Sequence, residues 1–117
     1  MKVTGVRGYH ILADLWGCSP TYLEEVDRLR EILLDAARKG GFSVVGESFY
    51  QFKPKGATGV LLLEASHISA HSWPEYQFIA LDIYSCSGKI KAKKAAEYLV
   101  EVLKPTKVRV REVERFK

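Results

Sequence analysis

Residues 61–76 read LLLEASHISAHSWPEY. The three leucines Leu61–Leu63 suit a strand of the interior. The polar run from Ser66 to Ser72 reads as the next strand, and Trp73-Pro74 closes it, because proline has no N–H to give to a ladder. Two histidines and several hydroxyls straight after an apolar strand mark either a polar strand edge or a site.

Working outward, residues 42–53 (FSVVGESFYQFK) read as a long strand with an irregularity at Gly46, and KPKGATG as a turn. Residues 76–85 (YQFIALDIYS) alternate as a strand does, and residues 8–16 (GYHILADLW) do so more weakly. Between them, Ser19-Pro20 predicts a helix start, with serine as N-cap, proline at the first helical position and Glu24 and Glu25 near the positive end of the dipole. Leu23, Val26, Leu29 or Arg30, Leu33 and Ala37 follow at helical spacing, and Gly40-Gly41 ends the helix. Residues 89–103 predict a second helix with Ile90, Ala95 or Ala96, Leu99 and Leu103 inward. Residues 106–113 predict a last, half-buried strand with Lys107, Arg109 and Arg111 on its outer face. The order β-α-β-β-β-β-α-β, with hairpins in the middle, predicts an α+β fold. It is a two-layer sandwich, an antiparallel sheet with two helices packed on one face, in a single domain over 1–117.

With 117 residues, 47% of them apolar and 27% charged, the chain suits one soluble globular core. No apolar run reaches the ~18 residues of a bilayer span, and the first residues lack a signal-peptide shape, so a cytoplasmic location without membrane partners is expected. The net charge of +4 collects late, at Lys89, Lys91, Lys93, Lys94, Lys104, Lys107, Arg109 and Arg111. That distribution suits the solvated faces of a helix and a strand. No helix-turn-helix, RRM or KH pattern accompanies it, so no nucleic-acid partner is expected. Cys18 and Cys86 read as two free thiols.

The opening stretch could serve three chemistries. His67 and His71 on a strand share a face but stand ~13 Å apart, and no further ligand completes a set by spacing, so no metal site is expected. A Ser-His-Asp hydrolase lacks its G-x-S-x-G elbow. A serine acting on its own backbone needs Ser66 beside the Ala65 carbonyl, a strained turn and a nearby base or donor, and the small flanking residues permit such a turn.

The run SHISAHSWPEY, with FYQF and KGATGV before it and DIYSCS after it, resembles the small prokaryotic S-adenosylmethionine decarboxylases from about Gly8 to Val113. The resemblance implies that Ser66 attacks the Ala65 carbonyl and ends as a covalent pyruvoyl cofactor. The products are a β chain of residues 1–65 and an α chain of residues 66–117. It implies that His71 and Thr58 support this processing. The pyruvoyl ketone then forms a Schiff base with S-adenosylmethionine, and Cys86 returns a proton to the α-carbon after decarboxylation. Phe52 stacks on adenine or meets the sulfonium, and Glu75 binds the ribose hydroxyls. A homodimer and a role in supplying the aminopropyl donor for spermidine are implied as well.

Taken singly, Phe52 beside Tyr50 suits plain core, Glu75 a solvated turn, Thr58 a turn residue and Trp73 core or interface. Ser66, His71 and Cys86 together favour the family reading. The sequence departs from the family in three places: Ala65 where glutamate is usual, Thr58 where serine is common, and SGKIKAK after Cys86 in place of an acidic, proline-containing segment. Two other readings stay open: a pyruvoyl-dependent arginine or ornithine decarboxylase on the same scaffold, and a non-processing regulatory homologue.

Overall fold

In the computed structural model, which describes residues 8–115, the opening stretch becomes the middle of a sheet. β3 (Ala57–Leu63) and β4 (Ser66–Trp73) pair as a hairpin turned by Glu64-Ala65, with Leu63 opposite Ser66 and Thr58 opposite His71. With β1 (Gly8–Trp16), β2 (Val44–Gln51), β5 (Phe78–Ser85) and β6 (Lys107–Arg115) they form one antiparallel sheet in the order β2-β3-β4-β5-β1-β6. The irregularity expected at Gly46 is a register shift between Val44 and Gly46.

The pairing makes β1 and β2 run the same way, and likewise β5 and β6. Each such pair needs a crossover, and each crossover is a helix. α2 (Val26–Gly40) links β1 to β2, and α3 (Lys89–Leu103) links β5 to β6. Both pack on one face of the sheet, against Ile11, Leu15, Leu61, Ile68, Ile79 and Ile83. Leu29, Ile32, Leu33, Leu99 and Leu103 close this layer and are 1% exposed or less. Each such side chain contributes ~1.5–3 kcal/mol of transfer free energy, against the entropy of ordering it. The α2 terminus matches its sequence signal: Gly41 is left-handed (φ 77) and its N–H reaches back to the last carbonyls.

The structure differs from four of these expectations. The helix predicted to run on from Ser19-Pro20 is broken. One turn, α1 (Thr21–Glu24), precedes an extended Glu25 (φ −110, ψ 129), and α2 then begins. Pro20, not Ser19, holds the N-cap position of α1, with no side-chain cap. The break is filled from afar. The Gln51 side chain accepts from Val26 N (2.6 Å) and donates to the carbonyls of Glu24 and Gly56 (both 2.9 Å), while Gly56 N donates to Glu24 O (3.0 Å). Ile90 is exposed rather than inward: at 100° per residue it lies nearly opposite the buried line Ala92, Ala95, Leu99, Leu103. β6 is exposed along its whole length, because it is an edge strand that only β1 flanks.

Gln51→Ala is expected to leave Val26 N without its partner and to cost ~1–3 kcal/mol, lowering the thermal midpoint by several degrees. A shift within one degree of zero in a thermal melt would show that the break is held by other contacts.

Candidate active site

The β3–β4 turn carries strain where a self-acting serine needs it. Ala65 sits at φ 60, in the left-handed region that an alanine enters at a cost of ~1–2 kcal/mol. Ser66 follows at the first position of β4. It is buried, and its hydroxyl oxygen accepts a hydrogen bond from Cys86 N at 3.1 Å. These residues meet although 20 positions apart, because β4 and β5 form a hairpin with His67 opposite Tyr84. The chain beyond β5 is turned by Ser85, whose hydroxyl donates to Gly88 O (3.0 Å) and accepts from Ser87 N (3.1 Å). Cys86 is thereby held half-buried beside Ser66. The Tyr84 phenol is held above its ordinary pKa, chiefly by the Cys86 sulfur beside it.

The other candidates gather elsewhere. Thr58 Oγ1 and His71 Nδ1 are hydrogen-bonded at 3.0 Å, a cross-strand pair fixed by the β3–β4 register. This bond sets the imidazole's orientation and does not use Nε2. Phe52, Thr58, His71, Trp73 and Glu75 line one cavity of about 530 Å³. Its floor is tied down by buried Ser72, which accepts from Ala57 N (2.9 Å) and donates to Leu23 O (2.7 Å). Phe52 is 47% exposed and Trp73 42%, so neither is core. The aromatic wall continues through Trp73 to Phe78 and Trp16, with ring centroids 5.6 and 5.2 Å apart.

The family resemblance implies that Thr58 and His71 assist Ser66. Within one chain they do not meet. Ser66 and His71 lie five residues apart on one strand, ~16 Å, and odd spacing puts them on opposite faces. Ser66 faces the helices and His71 the open side. The structure therefore holds the candidates in two separate groups: Ser66 with Cys86, and Thr58 with His71, Phe52 and Glu75.

Residues 9–116 match the family described as S-adenosylmethionine decarboxylase. The chain belongs to the S-adenosylmethionine decarboxylase family. It is similar to the S-adenosylmethionine decarboxylase proenzyme of Persephonella marina, 48% identical over 108 residues, which cover 92% of this chain and 81% of the relative. The corresponding proenzyme of Thermoplasma volcanium is 44% identical over 115 residues, 98% of this chain and 87% of the relative. The crystal structure of the adenosylmethionine decarboxylase from Aquifex aeolicus superposes with a TM-score of 0.90 at 40% identity, covering 94% of this chain and 91% of that one. The α+β sandwich is thus the S-adenosylmethionine decarboxylase fold.

On this decarboxylase fold the open face carries a cluster that sequence spacing did not suggest. His10 on β1 contacts Asp82 on β5, and His67 Nε2 on β4 lies 3.8 Å from the same carboxylate. Their sequence separations gave no signal. Only the order β4-β5-β1 and period-2 alternation on each strand bring them together. The two thiols of this decarboxylase-family chain also differ. Cys18 is 2% exposed, and burial pushes its pKa up from 9.0 to about 11. Iodoacetamide at pH 8 is expected to label Cys86 and spare Cys18 until the protein is denatured. The unfolded thiol ionises near 9.0 and the folded one near 11. Stability is therefore whole below pH 9 and falls as pH rises through this window, by up to ~3 kcal/mol. Equal labelling of both cysteines in the native protein would contradict the assignment.

Proposed function

We propose that this chain is the proenzyme of a pyruvoyl-dependent S-adenosylmethionine decarboxylase that works as a homodimer in the cytoplasm. The observation that carries the reading is the left-handed Ala65 immediately before a buried Ser66 whose hydroxyl is held against Cys86. Ser66 Oγ attacks the Ala65 carbonyl carbon. The C–N bond breaks as the ester C–O bond forms, and the hydroxyl proton passes to the nitrogen. Loss of the Ser66 α-proton then expels the Ala65 carboxylate and leaves dehydroalanine. Water adds and ammonia leaves, which gives the pyruvoyl group on residues 66–117 and a free carboxyl end on residues 1–65. The attacked group is a backbone carbonyl, so alanine serves at position 65, and cleavage relieves its strained φ.

His71 is the base suited to taking the α-proton, with Thr58 fixing its ring through the 3.0 Å bond. Because these two lie ~16 Å from Ser66 of their own chain, we assign them to Ser66 of a second copy. The open sheet face supports such a pairing. It exposes Leu12, Leu62, Trp73 and Val113, spread among His10, His67, His71 and Asp82, and a partner copy laid on this face would cover both kinds of side chain.

The pyruvoyl group supplies the ketone and the electron sink that no protein side chain offers. Around it, Cys86 delivers a proton to the substrate α-carbon after CO₂ leaves. Phe52 offers its ring to adenine or to the sulfonium charge. Glu75, on the same cavity, suits the ribose hydroxyls. Glu75 is exposed, whereas a guanidinium would want a buried carboxylate, which favours a nucleoside substrate over arginine. The product is an aminopropyl donor for spermidine synthesis. Among the described residues no helix is long and apolar enough to cross a membrane.

Intact mass of the freshly purified protein under denaturing conditions tests the reading. Two chains are expected, 1–65 and 66–117, the second lacking the serine nitrogen. A single uncut chain that persists through long warm incubation overturns it and leaves a non-processing regulatory homologue.

A further inference from the structure

We propose that His10, His67 and Asp82 form a binding site for one late first-row divalent cation, such as Zn²⁺ or Co²⁺, on the open face of the sheet. Tyr84 on the central strand β5 is opposite His10 on one side and His67 on the other. Asp82 lies two residues along the same strand and on the same face, so its carboxylate reaches both imidazoles. His10 Nε2 contacts Asp82 Oδ1, and His67 Nε2 stands 3.8 Å from Oδ2. One ligand atom from each residue falls within 4.8 Å of the other two. An ion ~2.1 Å from each needs neighbouring ligands ~3.0–3.4 Å apart, which small side-chain rotations supply. His67 and Asp82 are each about a third exposed in the single chain, and a partner copy laid on this face would enclose the ion with them.

The donor set selects the metal class. Two imidazole nitrogens and one carboxylate suit Zn²⁺, Co²⁺, Ni²⁺ or Fe²⁺, whereas Mg²⁺ and Ca²⁺ prefer oxygen alone. The Tyr84 ring walls the site, 5.4 Å from the His10 ring and 5.8 Å from that of His67. Ser69, half-buried and opposite Asp82 on β4, is placed to support the carboxylate or a bound water. Arg115, 5.9 Å from the Tyr84 ring, is a cation beside the wall and opposes binding in part. The site includes neither Ser66, Cys86, Thr58 nor His71. Its consequence rests on the cleavage reading, although binding itself does not. His10 belongs to residues 1–65, and His67 and Asp82 to 66–117, so the ion would clip the two processed chains together one residue from Ser66.

The test is a titration of tag-free, chelator-treated protein with Co²⁺, read by visible d–d absorption and by the thermal midpoint. Saturation at one ion per chain, a raised midpoint and displacement by Zn²⁺ but not Mg²⁺ are expected. His10→Ala, His67→Ala and Asp82→Ala should each weaken binding at least ~10-fold, while His71→Ala leaves it unchanged. His10→Gln replaces any alanine variant whose circular dichroism shows loss of fold. Ser66→Ala should bind as the parent does. Binding there without cleavage in the parent would uphold the metal site and sink only the decarboxylase reading. No saturable absorption, undiminished binding in the His10 and Asp82 variants, or equal stabilisation by Mg²⁺ overturns the proposal.

Discussion

Ser66→Ala is expected to yield a single folded chain of 13.2 kDa that never cleaves and has no decarboxylase activity. In the proposed processing, the variant removes the one atom that becomes the ester oxygen, and with it every later step to the ketone. The loss spans the whole catalytic enhancement, ~10⁶-fold or more, because no other side chain replaces an electrophilic carbonyl. The fold should survive. The change removes one hydroxyl that accepts from Cys86 N, worth ~0.5–1.5 kcal/mol, and leaves the apolar packing of β4 intact. Mass spectrometry, circular dichroism and CO₂ release from S-adenosylmethionine separate these effects. Cleavage or turnover in this variant would place the reacting group elsewhere.

Co-producing His71→Ala with Cys86→Ala should restore activity that neither variant has alone. If the half-sites are completed across a dimer, each mixed dimer holds one intact site: Ser66 and Cys86 from the first variant, Thr58 and His71 from the second. Its other site carries both lesions. Random pairing makes half the dimers mixed, so about a quarter of all sites work. The Cys86→Ala homodimer should still cleave yet turn over ~10²–10⁴-fold more slowly, and the His71→Ala homodimer should remain largely uncut. Mixed dimers that form but stay inactive would mean that both half-sites serve one chain. The rearrangement needed would move Ser66 and His71 across the sheet, against a register that pairs Leu63 with Ser66 and Thr58 with His71.

Where local rules dominate, the residues predict the structure closely. Period-2 alternation marks β1 over Gly8–Trp16, and 3.6-residue spacing marks α3 over Lys89–Leu103. Gly41 ends α2 because its left-handed conformation suits a residue without Cβ. Local rules fail at Glu25, whose break is stabilised by Gln51, 26 positions later in the chain. They fail at Ile90 too, where a local count of apolar residues ignores which side of the helix meets the sheet.

The site divides in the same way. The serine, its small neighbour, the two histidines and the later cysteine were legible as residue types in order. Their chemistry depends on what each side chain is. Which of them meet was not legible, since hydrogen-bond distances are set by strand register and by the side of the sheet. Register brings Ser66 to Cys86 and Thr58 to His71, and the odd spacing of Ser66 and His71 parts them. Strand order sets His10, His67 and Asp82 side by side. The sequence by itself determined the order of strands and helices apart from the break at Glu25, the serine with its small neighbour, and the family. The tertiary structure decided that one chain carries the candidates in two separate groups and a third cluster, because contacts across a sheet follow its topology rather than distance along the chain.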